Sequence, residues 1–179
     1  MEAGAAFVAW LGAALIVLAD GRRGLALGTA LAAVGIAVVV LQGAGFIAAG
    51  AIVVGGTIAA AARLRSGPPG WEIMPAGSTP RLVLCIAAGL LSLWIAVSIT
   101  GGPGAALRFT VLSVIGLSAA RVLWSDDASV LLTASGVLAV AIAATAGVVE
   151  STVTVWPYLA GALIVAAIVW LPARRAHAA

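Results

Sequence analysis

The 38 residues from Leu25 to Ala62 carry no charged side chain, and their only polar members are Thr29, Gln42 and Thr57. As one helix rising 1.5 Å per residue, this run would reach about 57 Å, almost twice the thickness of a bilayer's hydrocarbon core. The chain therefore has to turn inside the run. Gln42-Gly43-Ala44-Gly45 is the natural place, because glycines punctuate helices and the glutamine is the most polar residue available. The run becomes two apolar spans, 25–42 and 45–62.

Five further apolar segments, 3–19, 82–99, 105–124, 128–149 and 154–172, bring the expected number of spans to seven, in an all-α polytopic transmembrane bundle that forms a single domain over 1–179. Composition points the same way. The 179 residues are 64% hydrophobic and 8% charged, with a mean hydropathy of +1.24, whereas a soluble domain is about 25% charged. Seven spans of about 20 residues leave about 39 for every connection, with no room for a soluble domain. The basic residues are all arginine and stand singly or in pairs at the ends of apolar runs, which excludes a nucleic-acid-binding patch. Met1-Glu2-Ala3-Gly4 lacks the positive start of a signal peptide, so the first segment is expected to remain as a spanning helix. The single cysteine, Cys85, lies within an apolar run and reads as a small packing residue.

The connections set the orientation. Asp20-Gly21-Arg22-Arg23-Gly24 separates the first two spans. The longest loop runs from 63 to 81 between proline–glycine breaks, and Thr100-Gly101-Gly102-Pro103-Gly104 is a tight turn. Ser125-Asp126-Asp127 ends one helix and caps the next, with the carboxylates also available to Arg121, and Glu150-Ser151-Thr152 does the same for the last helix. With seven spans, Arg22, Arg23, Arg63, Arg65, Arg81, Arg121, Arg174 and Arg175 fall on one side and only Arg108 on the other. The positive-inside rule then puts the N-terminus outside and the C-terminus in the cytoplasm. The protein is expected in the bacterial inner (cytoplasmic) membrane. Trp124, Trp156, Tyr158 and Trp170, near segment ends, suit an interfacial aromatic belt. Trp71 and Met74, in the long loop, suit either the membrane surface or a cytoplasmic partner.

From the second segment onward the chain reads as three in–out–in hairpins, Arg23 to Arg65, Arg81 to Trp124 and Asp127 to Arg175, each with a glycine on both arms. A 3+1+3 division, with the fourth segment linking two triplets of like orientation, is the rival, and it suits a parallel-repeat transporter. The run from Leu82 to Leu91, the Gly101-Gly102-Pro103-Gly104 turn and the run from Val114 to Arg121 resemble a hairpin of the HdeD-type acid-resistance membrane proteins. The resemblance extends over about residues 25–172 and rests on small-residue spacing. The additional first helix departs from that family's six-span pattern. The resemblance implies a stress-related membrane protein and carries over no catalytic residue.

The spans hold no Asp, Glu, Lys or His near their middles, the groups that proton relays and ion pathways normally use. No HExxH, paired cysteine or acidic ligand cluster is present, and His177 lies in the C-terminal tail. No cofactor, metal site or enzymatic activity is expected. Arg108 either snorkels to the outer interface or pairs with Glu150. Gly24 and Gly28 form a GxxxG pair, and Gly56, Gly116 and Gly161 share its small-residue character, allowing close helix packing within the chain or against a second copy or another membrane-complex subunit. The span hydroxyls, Thr29, Thr57, Thr133 and Thr145 among them, can bond to carbonyls one turn back. The leading function class is a non-enzymatic structural, accessory or stress-related membrane protein, including a subunit of a larger complex. The alternative is a small-solute transporter or channel of the 3+1+3 layout. The two differ in whether the interior holds a cavity with convergent polar groups.

Overall fold

The computed structural model describes residues 2–66, 69–99, 104–146, 154–168 and 170–171. Among these, the regular structure is helical apart from one isolated antiparallel bridge between Ala19 and Ile73. The helices are α1 (Glu2–Leu18), α2 (Arg22–Arg65), α3 (Thr79–Trp94), α4 (Ala105–Trp124), α5 (Ala128–Ala144) and α6 (Trp156–Ile168), and α3 runs into a π-turn at Ile95–Ile99. Three helical stretches are long and apolar enough to cross a membrane: α2, α3 with its π-turn as far as Ser98, and α4. The other three are shorter apolar helices of 17, 17 and 13 residues.

Helix α2 breaks at Gly45, whose φ of 80° is left-handed and favours glycine. The two arms fold back on one another. Gly56 of the second arm lies so close to Ala33 of the first that a Cβ there would overlap the alanine methyl. The break falls at the last residue of the Gln42–Gly45 stretch.

Small residues let the backbones touch. On α1 and the first arm of α2, Gly12 faces Gly28 and Ala32, and Gly35 faces Ala5 and Ala9. The contacts run in opposite directions along the two helices, as an antiparallel pair requires. Gly55 meets the Ala162 backbone on α6, and Gly136 and Gly161 seat α5 and α6 against each other. Where lipid covers the outside, such contact supplies van der Waals attraction that lipid cannot match. Of the glycines expected to pack, Gly28, Gly56 and Gly161 do so between helices or helix arms. Gly24 instead packs against Ala19 and the Trp71 carbonyl, so its neighbour is a turn and a loop rather than another helix. Gly116 faces open space, because its side of α4 is exposed.

The surface of the bundle is apolar as well as its core. Outside are large apolar groups such as Phe46, Val83, Leu90, Leu123 and Leu163. Inside, among alanines and valines, are Thr29, Arg63, Thr110, Ser113, Arg121 and Thr133. An exposed apolar surface of this extent is unstable in water and at home in lipid. Helix α3 is the most peripheral, with only 17% of its spanning window buried. It is held inward by Trp10 of α1, whose indole N–H donates to the Cys85 carbonyl at 3.3 Å. Cys85 itself is buried, with Sγ 3.9 Å from the Ala14 carbonyl. Trp124, Trp156 and Trp170 are exposed, but Tyr158 is only 1% exposed and belongs to the core, not to an interfacial belt.

Candidate functional site: an arginine cluster at one end of the bundle

The two arms of α2 return its ends to the same place, beside the α1–α2 turn, the start of α3, the end of α4 and the start of α5. Ionisable side chains from all these elements gather there. Asp20, in the α1–α2 turn, is the centre. Its carboxylate accepts from Arg81 Nη1, at 3.2 and 3.1 Å to its two oxygens, and from Arg121 Nη2. Arg121 Nη2 also donates to the Ala19 carbonyl at 3.2 Å. Only 3% of the Arg121 side chain is exposed, against about a third of Arg81 and Asp20. Sequence proximity favours pairing Arg121 with Asp126 or Asp127. The structure corrects this, because α4 ends with Ser125 extended and the Asp127 side chain turns onto α5.

The long loop is strapped over this cluster through its backbone. Arg23 N–H donates to the Gly70 carbonyl, Asp20 N–H to Glu72 and Met74 N–H to Leu18, at 3.1, 3.2 and 3.1 Å. Gly21 has to be glycine here, since a Cβ would lie 2.7 Å from the Gly70 carbonyl oxygen. Glu72 and Met74 take left-handed φ values of 36° and 56°, a strain that the bridge between Ala19 and Ile73 holds in place. Trp71, Ile73 and Met74 point outward and are 41–49% exposed.

Two further groups complete this end. Arg63, in the last turn of α2, is 3% exposed, whereas its neighbour Arg65 is exposed. Asp127 caps α5, accepting from the Ser129 and Val130 N–H groups at 2.7 and 3.2 Å and from the Ser129 hydroxyl. Partial burial works against its charged form. The bonds from Ser129 and Val130, with the field of Arg63, outweigh this and hold the carboxyl below its ordinary value. A depressed native pKa contributes stability above the unfolded value near 3.9, and this is lost as pH falls through the native value. Asp127→Ala should therefore lower stability by about 1 kcal/mol at neutral pH. The loss should shrink on acidification below about pH 4, and Asp127→Asn should retain most of the cap. Thermal melts of the three proteins across pH test this.

At the other end, Arg108 Nη2 donates to the Ala96 carbonyl in the π-turn, at a long 3.5 Å. Glu150, its expected ion-pair partner, lies outside the described residues, as do the Gly101–Pro103 turn, the Glu150–Thr152 cap, Arg174, Arg175 and His177. The hydroxyls of Thr29, Thr57, Thr133 and Thr145 bond to carbonyls three or four residues back.

The Asp20 cluster is an electrostatic lock. Arginines are donors only, and both carboxylate oxygens of Asp20 accept from them. Among the described residues, no three His, Cys, Asp or Glu side chains gather at metal-ligand spacing. No family model, curated protein or solved structure matches the chain.

Proposed function

We propose that the chain is a non-enzymatic, multi-pass protein of the bacterial cytoplasmic membrane, with a structural, accessory or stress-related role. The observation that supports this best is the closed interior. Helix backbones touch through glycine and alanine, the buried hydroxyls of Thr29, Thr110, Ser113 and Thr133 are spent on their own helices, and two cavities at the α2–α5–α6 junction measure about 10 Å³ each. A transporter needs a midplane cavity with convergent polar groups. A larger recess, about 500 Å³ between α5 and α6, is an open groove; among the described residues that line it the one hydroxyl, Thr145, donates to its own helix at Ile142. The stress-related role rests on the repeated hairpins and the HdeD-type resemblance alone.

The proposed topology counts the two arms of α2 separately, giving seven spans with the N-terminus outside and the C-terminus inside. It draws support from the grouping of Arg22, Arg23, Arg63, Arg65, Arg81 and Arg121 around the Asp20 end, with Arg108 at the opposite end. Lipid is the partner for the exposed apolar surface, and a second copy or another membrane subunit is the partner that an accessory role calls for.

Purified protein in liposomes should pass no more protons under an imposed gradient than empty vesicles do. Reporters at the two termini should lie on opposite sides of the membrane, the C-terminal one in the cytoplasm. A robust flux abolished by one substitution would replace the accessory reading with a transporter. Termini on the same side would remove the seven-span count.

A further inference from the structure

Arg63 sits in an unusual position for a guanidinium. It is buried, its Nε and Nη2 atoms reach no solvent, and neither has an acceptor. The opposing charge that acts on it is Asp127, through the field rather than by contact. Leaving two donors of a cation unsatisfied is costly in a low-dielectric interior.

The side chain lines a cavity of about 10 Å³ with Thr29, Ala59, Leu132, Thr133 and Val165. This is about the volume that one water requires. The two threonines decide what can occupy it. Thr29 donates its hydroxyl proton to the Leu25 carbonyl at 2.8 Å, and Thr133 donates its own to the Ser129 carbonyl at 2.6 Å. With both hydroxyl protons spent, an occupant of the cavity can only donate to these two oxygens, while Arg63 has only N–H groups to offer it. A halide would accept from Arg63 but face two lone pairs, and it is larger than the space. Water can accept from Arg63 and donate to both threonines.

We infer that this cavity is the site of one ordered structural water, which bridges Arg63 to Thr29 and Thr133 and ties both arms of α2 to α5. A second cavity of the same size adjoins it, sharing Thr29 and Val165. Its other walls are Ala33, Ile36, Gly56, Val137 and Val140. With one hydroxyl and no donor pair it lacks the polar partners that a water needs, and it stays dry.

The test is an experimental map of the full-length protein in lipid or detergent, fine enough to show single waters, with a parallel crystal soaked in bromide. The expected result is one peak beside Arg63, none in the second cavity, and no anomalous bromide signal. Melting curves give an independent reading. Thr133→Val should lower the melting temperature of the wild type but leave that of Arg63→Met nearly unchanged, because the bridge is already gone. Bromide beside Arg63, density in both cavities, an empty polar cavity, or an equal Thr133→Val shift in both backgrounds would each overturn the inference.

Discussion

Replacing Asp20 by alanine should cost the folded protein about 3 kcal/mol, more than any other single polar substitution in the described residues. Breaking a buried ion pair by removing one partner typically costs 3–5 kcal/mol, because the other charge is left uncompensated. The lower end applies here, since a third of the Asp20 side chain is exposed and water can reach part of the vacancy. The two arginines should respond differently. Arg81 is about a third exposed and can turn to water, so Arg81→Ala should cost about 1 kcal/mol or less. Arg121 is 3% exposed and its Nε already lacks an acceptor, so without Asp20 it keeps only the Ala19 carbonyl. Adding Arg121→Leu to Asp20→Ala should then recover most of the loss, because an apolar side chain of similar reach removes the stranded charge. Melting curves of the single and double variants in one detergent decide this. Equal losses for Asp20→Ala and Arg81→Ala, or no recovery in the double variant, would show that Asp20 is an ordinary surface pair.

What the sequence reveals about this fold follows from the range of each signal. The turn inside the 25–62 run is legible because a length limit forces it and Gly45 is there to make it. Helix content and the outward apolar surface follow from composition, and the Asp127 cap from a carboxylate two residues before the first helical N–H groups it binds. The Asp20 lock is not legible in the same way. Its members are separated by 61 and 101 residues, and local reasoning gives Arg121 to the acids that follow it. One signal was available: Asp20 is the lone acid between the first two apolar runs, on the side where the arginines collect. Small-residue spacing has a different weakness. It identifies a glycine that permits close approach, but not what approaches. Gly28 meets a helix, Gly24 meets a loop and Gly116 meets nothing. Tyr158 shows the same limit, because its position near a helix start fits an interfacial ring while its burial depends on partners elsewhere in the chain.

The glycines also supply the sharpest packing prediction, since one substitution should have opposite signs at two positions. At Gly12 an alanine methyl would lie 2.7 Å from the Gly28 carbonyl oxygen and 2.8 Å from Ala32 Cα, and closer still to the Ala32 amide nitrogen. All three are backbone atoms of α2, so no side chain can rotate away, and α1 has to separate from its partner. Overpacking of this kind costs about 1–3 kcal/mol, and a rigid helix contact places Gly12→Ala near the upper end. At Gly116, in the interior of α4, nothing lies within 4 Å of the added methyl. There the substitution only exchanges a poor helix former for the best one, and should stabilise by about 0.5–1 kcal/mol. Gly28→Ala should resemble Gly12→Ala, because its methyl would meet the Gly12 carbonyl oxygen at 2.8 Å. The two should not add. One separation of α1 from α2 relieves both overlaps, so the double variant should lose clearly less than the two single losses together. Melting of the four variants in the same detergent checks the set. If Gly12→Ala is neutral, or if Gly116→Ala destabilises as much as Gly12→Ala, then α1 and α2 do not pack through their backbones in the way described.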